Sequence, residues 1–242
     1  HNYIMNNHIL YIDFGNTSTK LLLDNEDFYS FPSDNYLYEN IVDIINKYNV
    51  NKGLYASVIF LTTDLISFLQ EHNVFSLKQA NLDLPFSIEY ESKDTLGEDR
   101  IAAAVGAYSL NNDETFLTIQ IGTAITYDYV INKKYLGGAI SPGFAIRYLS
   151  LHNFTQKLPL LKIEDENFNI DMIGKNTKES IHSGVYWGVL YEIQARIDDF
   201  INKYQCPAYI STSFKKYLDK KLKNCNFANQ NLALLGLKFL LK

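Results

Sequence analysis

Apolar and polar residues alternate along the chain in blocks that predict strands and helices in turn. Residues 8–23 form an apolar stretch, a polar Asn-Thr-Ser-Thr turn and a second apolar stretch, which is the pattern of a hairpin with a polar tip. Apolar positions at helical spacing then predict a helix from Leu37 to Tyr48. A strand at Leu54–Phe60 and a helix at Thr63–His72 follow. This alternation favours an α/β fold.

The strand-turn-strand design returns in the second half of the chain. Aligning Gly122 on Gly15 also superposes an isoleucine three residues before each glycine and a threonine four residues after it. Because each copy opens a segment of domain length, we predict two domains, 5–113 and 114–242, with the first counted from Met5 as the native start.

The remaining elements follow from the same patterns. Before the boundary, Ile101–Leu110 is typical of a helix rich in alanine. Beyond it we predict a Gly-rich turn at 137–143, helices at Phe144–Leu158 and Ile181–Tyr204, a strand at Pro207–Ser211, and helices at 214–223 and Asn231–Leu241. Gly184 and Gly188 share one face of the long helix, where a close neighbour must pack; this face is a candidate dimer interface, although it could equally serve packing inside one subunit.

Composition and charge remove several classes of function. With 22 basic and 27 acidic side chains among 242 residues the net charge is -5, so no positive field attracts nucleic acid. Cys206 and Cys225 form neither a disulfide framework nor a zinc motif, which favours a reducing compartment. No apolar run approaches the ~18 residues of a membrane helix. We therefore expect a cytoplasmic protein with no membrane or nucleic-acid partner.

The glycines point to phosphate binding. The common P-loop and Rossmann signatures are absent, but seven of the twelve glycines lie in polar turns. Glycine lets backbone N–H groups approach an anion, although for any single one a tight turn is the better explanation. These seven are Gly15, Gly97, Gly122, Gly137, Gly138, Gly143 and Gly174.

Two acidic residues are candidates for chemistry. Asp13 closes an apolar strand beside a glycine, where it could hold hydrated Mg²⁺ next to a phosphate; an Asx turn is the alternative. Asp99 follows Gly97 at the mouth of a helix, so its carboxylate could accept a proton from an alcohol while Arg100 pairs with a substrate carboxylate. Helix capping by Glu98 and Asp99 is the alternative there.

Six motifs, in order along the chain, resemble type III pantothenate kinases, a family of the acetate and sugar kinase, heat-shock chaperone and actin superfamily. They are IDFGNTSTK (12–20), LGEDR (96–100), GTAITYD (122–128), GGAISPG (137–143), GKNT (174–177) and SGVYWG (183–188).

The resemblance implies two duplicated ribonuclease H-like domains with a nucleotide cleft between them. It implies a homodimeric phosphotransferase that uses ATP with Mg²⁺ to convert pantothenate to 4'-phosphopantothenate, the first step of coenzyme A biosynthesis. The first domain would carry one phosphate loop and the pantothenate site, and the second domain would carry the other phosphate loop and the adenosine side.

The resemblance also assigns residues. Asp99 would accept the proton of the pantothenate hydroxyl, and Asp13 would hold Mg²⁺ through water. The residues expected at ATP are Asp13, Phe14, Gly15, Asn16, Thr17, Ser18, Thr19, Lys20 and Thr123. Those expected at pantothenate are Tyr90, Gly97, Glu98, Asp99, Arg100 and Thr177.

Two positions depart from the family pattern. Gln120 stands where the family has an aspartate that binds a monovalent cation, K⁺ or NH₄⁺, so we predict weak or absent potassium dependence. Residues 211–213, Ser-Thr-Ser, replace a Thr-Gly-Gly turn near the adenosine, which predicts altered ATP binding. These departures leave open a catalytically weak paralogue that acts as a nucleotide-binding regulatory or accessory protein.

Overall fold

The computed structural model describes residues 7–165 and 170–242. Met5, where the first domain was predicted to begin, lies outside the described residues. The strands are β1 (His8–Phe14), β2 (Ser18–Leu23), β3 (Phe28–Pro32), β4 (Val50–Ser57), β5 (Val74–Ser76), β6 (Ser87–Ile88), β7 (Phe116–Ile121), β8 (Ala124–Ile131), β9 (Lys134–Pro142), β10 (Ala208–Thr212) and β11 (Asn226–Phe227). The helices are α1 (Leu37–Lys47), α2 (Thr63–Glu71), α3 (Leu77–Ala80), α4 (Glu98–Asn111), α5 (Phe144–Asn153), α6 (Thr177–Tyr204), α7 (Lys215–Leu218) and α8 (Leu232–Leu240), with 3₁₀ turns at Lys93–Thr95 and Ile163–Asp165.

The chain divides into two compact α/β units. The first contains the residues up to Asp113 together with Gln230–Lys242, and the second is Glu114–Asn229. The prediction that the second domain extends to residue 242 is therefore wrong for its last segment, because α8 packs with the first unit.

The first unit is built on a five-stranded sheet with the order β3-β2-β1-β4-β5. The β1–β2 hairpin was predicted from its polar tip, and it pairs Asp13 with Lys20 across the two strands. Strand β4 starts at Val50, earlier than predicted, and ends at Ser57. Gly53 lets the strand lie close against β1. A Cβ on Gly53 would lie 2.4 Å from the Leu10 carbonyl oxygen.

Two glycines explain why α8 joins the first unit. A Cβ built on Gly106 of α4 would lie 1.9 Å from the Leu232 oxygen, and one on Gly236 of α8 would lie 1.8 Å from the Ala102 oxygen. The two helices thus touch backbone to backbone, which buries Leu234 and Leu237 of α8.

Replacing Gly236 by alanine is expected to destabilise the protein by about 2 to 3 kcal/mol, since a methyl group cannot fit against the Ala102 carbonyl without separating the helices. Urea denaturation measures the change. Gly106→Ala is the matched variant on the facing helix, because its methyl would lie 1.9 Å from the Leu232 oxygen, so it should destabilise the protein by a similar amount. Unchanged stability of either variant would contradict the packing argument.

The second unit has its own sheet, with the strand order β11-β10-β7-β8-β9. Its core lies between this sheet and α6, where Ile119 and Ile125 share one cluster with Val189 and Ile193. Helix α6 begins at Thr177, within residues 174–180, whose sequence predicts a helix start, and α7 is only one turn long. No helix in the described ranges has the length and apolarity needed to cross a membrane.

The Gly-rich segment predicted as a turn lies mostly within strand β9. Gly137 has a φ of 105°, and a Cβ on Gly138 would lie 1.6 Å from the Tyr127 oxygen. The pairing register of β8 and β9 shifts between Tyr129 and Val130. These glycines therefore serve a bulge and a close strand approach rather than a turn.

Candidate active site

The first candidate phosphate loop is the turn between β1 and β2. A Cβ on Gly15 would lie 2.8 Å from the Ser18 carbonyl oxygen, so the turn requires glycine. Ser33 fixes the loop, since its hydroxyl donates to the Gly15 oxygen at 2.7 Å and lies 2.9 Å from the Thr19 hydroxyl. Ser33 lies outside every motif, and no sequence signal identified it.

Two residues of this motif face the core instead of the loop surface. The Phe14 ring is fully buried and packs edge-on to Tyr55, with the ring centroids 5.5 Å apart. Thr19 is also fully buried and is held by Ser33. Neither side chain is therefore exposed to contact ATP, and the prediction that these two residues bind it is left to their backbone; the exposed part of the loop is Asn16 and Thr17.

Asp13 lies buried at the end of β1, with only 8% of its surface exposed. Its Oδ2 accepts a hydrogen bond of 3.0 Å from Nδ2 of Asn231, whose Oδ1 caps α8 by accepting from the Leu234 N–H. Burial raises the pKa of Asp13, while the charge of Lys20 and the bond from Asn231 oppose that rise. The sequence places Asn231 only at the start of a predicted helix; its pairing with Asp13 depends on the return of the chain to the first unit.

Asp13 fits a magnesium ion that arrives with a nucleotide. Among the residues that the structure describes, no three His, Cys, Asp or Glu side chains cluster as a ligand set. Mg²⁺ characteristically binds one or two carboxylates together with substrate phosphates and water. A single carboxylate next to a phosphate loop is consistent with that mode.

The second acidic candidate lies at the start of α4. The helix begins at Glu98, earlier than predicted, and its N-cap residue Gly97 has no side chain to cap it. The Asp99 carboxylate occupies that space, since Oδ1 lies 2.5 Å from where a Gly97 Cβ would be. Asp99 stays partly exposed, and the Arg100 guanidinium lies 5.8 Å from the centre of the Tyr90 ring. An acid in the first helical turn is stabilised as its anion by the helix dipole.

Glu98 points inward. It is 8% exposed, its Oε2 accepts from the Ser57 N–H at 3.2 Å, and its Oε1 accepts from the Lys78 N–H at 3.0 Å. The sequence prediction that Glu98 contacts the substrate does not fit this orientation, because both carboxylate oxygens face backbone amides of the fold.

The phosphate loop and the start of α4, which carries Asp99, both lie at the carboxyl ends of the paired strands β1 and β4. Phe14 and Ser57 are register partners at the ends of β1 and β4, and the Val58 N–H donates to the Phe14 oxygen at 3.0 Å. Ser57 in turn bonds Glu98, the neighbour of Asp99. The sequence predicted each motif separately, and the parallel pairing of β1 with β4 joins them.

The second candidate phosphate loop is the turn between β7 and β8. The Gly143 N–H donates to the Thr123 oxygen at 3.0 Å, and a Cβ on Gly143 would lie 2.1 Å from the Gly122 oxygen. The two departures from the family pattern are neighbours here, because Ser211 of β10 is the register partner of Gln120.

Thr177 lies in the second unit as the first residue of α6 and is exposed. Asn176 caps this helix by accepting from the Glu179 N–H at 2.9 Å, and Glu179 accepts from the Lys175 N–H at 2.7 Å. The GKNT motif is therefore a rigid helix start that presents the Thr177 side chain outward.

Comparison with known proteins identifies related sequences over most of the chain. A family model for type III pantothenate kinase matches residues 9–199. A type III pantothenate kinase of Azobacteroides pseudotrichonymphae is 37% identical over 95% of this chain and 94% of its own length. One from Flavobacterium johnsoniae is 37% identical over 93% and 94%, and one from Bacteroides fragilis is 35% identical over 96% of both chains.

Solved structures share the fold at lower identity. A Campylobacter jejuni protein ascribed to the Baf family of transcriptional activators has a TM-score of 0.63, 22% identity and 96% coverage of both chains. MreB5 of Spiroplasma citri bound to ADP has a TM-score of 0.55 and 10% identity, covering 97% of this chain and 96% of its own. A ROK hexokinase of Thermus thermophilus has a TM-score of 0.51 and 10% identity, covering 95% and 96%. The predicted α/β fold of duplicated ribonuclease H-like domains is confirmed.

Proposed function

We propose that this chain, which belongs to the type III pantothenate kinase family, transfers the γ-phosphoryl group of ATP to the primary hydroxyl of pantothenate. The family gives the activity: the chain is a kinase that forms 4'-phosphopantothenate in coenzyme A biosynthesis. The observation that supports a site for it is the meeting of the loop after Asp13 with the Asp99 end of α4 at one sheet edge.

The roles of the residues follow from their positions. The Asp99 carboxylate accepts the proton of the attacking hydroxyl while the new O–P bond forms and the bond from the γ-phosphorus to the ADP oxygen breaks. Arg100, next to Tyr90, pairs with the pantothenate carboxylate. Phosphoryl transfer needs mainly alignment and charge neutralisation, which the loop of Asn16 and Thr17 supplies through its exposed backbone and side chains.

Lys20 and Thr123 complete the proposed ATP contacts. Lys20, opposite Asp13 in the hairpin, adds positive charge beside the phosphates. Asp13 would hold Mg²⁺ through water, and the bound ion neutralises phosphate charge. Thr123 would contact the nucleotide from the second loop, and Thr177 would contact pantothenate.

The function is tested by incubating the purified chain with ATP, Mg²⁺ and pantothenate, and by following ADP and 4'-phosphopantothenate together. We expect the two products in equal amounts, with no ADP formed when pantothenate is left out. Nucleotide binding without turnover would indicate an accessory protein instead, and ADP formation independent of pantothenate would indicate a nucleotide hydrolase.

We propose that the monovalent-cation position is weakened in this chain. Gln120 offers an amide oxygen but no charge. A unit charge near an ion contributes about 1 kcal/mol in water-like surroundings, which changes the binding constant of the ion by a factor of about five. Potassium should therefore change the turnover of the natural chain by less than about twofold, whereas Gln120→Asp should gain activation of about fivefold. Titrations with KCl, matched by choline chloride for ionic strength, measure both. Strong activation of the natural chain would contradict the proposal.

We propose that the active form is a homodimer, with α6 at its interface. Gly184 has no atom of the described residues within 4 Å of its added Cβ, and Tyr191 on the same helix is 53% exposed. Arg147 approaches Gly188 on this face, at 3.7 Å from an added Cβ, whereas the space at Gly184 is left for a second copy of the chain. Light scattering gives the oligomeric state, and a monomer at assay concentrations would refute the proposal.

A further inference from the structure

Glu98 joins three elements of the first unit through one buried carboxylate. Its two oxygens accept from the Ser57 N–H, just at the end of β4, and from the Lys78 N–H, in the first turn of α3. Glu98 itself is the first residue of α4. Each bond therefore ties the start of α4 to a different element.

Burying the Glu98 carboxylate costs free energy of hydration. A buried ion that lacks an ion-pair partner loses several kcal/mol of hydration, and hydrogen bonds to its charged form recover part of that loss. An apolar side chain in its place would leave the Ser57 and Lys78 amides without these acceptors. The carboxylate thus fixes the start of α4 against two other elements.

Lys78 reinforces the same connection. Its Nζ donates to the Asp94 carbonyl oxygen at 2.9 Å, in the 3₁₀ turn that leads into Gly97. The segment before α4 is therefore held by the Lys78 side chain, and the first residue of α4 is held by the Lys78 backbone. Two contacts with one residue of α3 fix the approach of the chain to Asp99.

We propose that Glu98 is a positioning residue for phosphoryl transfer: it fixes the Asp99 carboxylate relative to the phosphate loop through the path Glu98–Ser57–Phe14. The inference rests on the proposed role of Asp99. A displacement of about 1 Å at a reacting group can cost about 10²-fold in rate, so release of this tie lowers kcat without removing any group that touches substrate.

The test compares Glu98→Gln and Glu98→Ala with Glu71→Gln, an exposed acid at the end of α2. For Glu98→Ala we expect kcat to fall by about 10- to 10²-fold, with the KM for ATP changed by less than about twofold. Glutamine keeps one acceptor oxygen, so Glu98→Gln should show a smaller fall in kcat. Glu71→Gln should match the natural chain. Circular dichroism checks that each variant folds.

Hydrogen exchange of the ligand-free protein tests the tie independently of turnover. Peptides that contain Ser57 and Lys78 should exchange at least about tenfold faster in Glu98→Ala, because their acceptor is gone. Unchanged exchange, or a rise in the KM for pantothenate at constant kcat, would overturn the proposal, the latter in favour of a substrate contact. If Glu98→Ala fails to fold, an unchanged kcat in Glu98→Gln overturns it as well. If the natural chain does not phosphorylate pantothenate, the proposed function is refuted. The exchange measurement still tests whether Glu98 holds the Ser57 and Lys78 amides.

Discussion

Replacing Asp99 by asparagine is expected to lower kcat for pantothenate phosphorylation by at least ~10²-fold, the usual contribution of a positioned general base. Asparagine matches the shape of aspartate, so its amide can occupy the same space above Gly97 at the start of α4. What is lost is the proposed acceptor of the hydroxyl proton. The KM for ATP should change little, because the phosphate loop is built from other residues.

Steady-state kinetics with both substrates varied measure this change. Asp94→Asn is the matched control, since Asp94 lies exposed in the same segment and contributes its backbone oxygen, not its carboxylate, to the bond from Lys78. Activity that survives in Asp99→Asn with an unchanged kcat would show that another group takes the proton. A loss of equal size in both variants would point to a disturbed segment instead of a lost base.

The sequence alone was sufficient to locate those candidate site residues whose geometry depends on near neighbours in the chain. Gly15 and Gly97 stand in short motifs whose turn geometry follows from glycine itself, and the structure shows a reason for each within two or three residues. Asp13 was likewise predicted at the end of a strand, where it lies. Such features depend on neighbours along the chain, so the order of residues carries the information.

Motif membership failed to predict the direction of side chains. Phe14 and Thr19 lie in the phosphate-loop motif but face the core, and Glu98 lies in LGEDR but faces β4 and α3. For the strand residues the period of two was a usable signal, because Phe14 shares the buried face of Ile12 while Asp13 points the other way. Glu98 gave no such signal, since its partners are backbone amides distant in sequence.

The supporting residues could not be predicted because they depend on long-range pairing. Ser33 reaches the Gly15 oxygen only after β3 has folded back along β2. Asn231 reaches Asp13 only because α8 packs on α4 through Gly106 and Gly236. A linear division of the chain assigned α8 to the second domain, and that assumption hid the contact.

Replacing Asp13 by asparagine is expected to lower kcat/KM for ATP by about 10²- to 10³-fold, which is typical when an electrostatic contact with a transferring group is removed. The substitution removes the negative charge of residue 13 but keeps the size and position of its side chain. Asn231 is fixed by the cap of α8, so its Nδ2 can still donate to an amide oxygen at residue 13, and the tie between β1 and α8 survives. The negative charge, which we propose attracts Mg²⁺ beside the loop, does not survive.

The matched variant is Asn231→Ser, which can still cap α8 but is too short to hold Asp13. We expect it to lower kcat/KM for ATP by only about tenfold, since the charge remains and only its orientation loosens. Calorimetric titration with ADP, at several Mg²⁺ concentrations, should show weaker Mg²⁺-dependent binding in Asp13→Asn than in Asn231→Ser. If the two variants lose equal activity and bind ADP alike, then Asp13 contributes through its hydrogen bond to the fold, and the magnesium must be held by other groups.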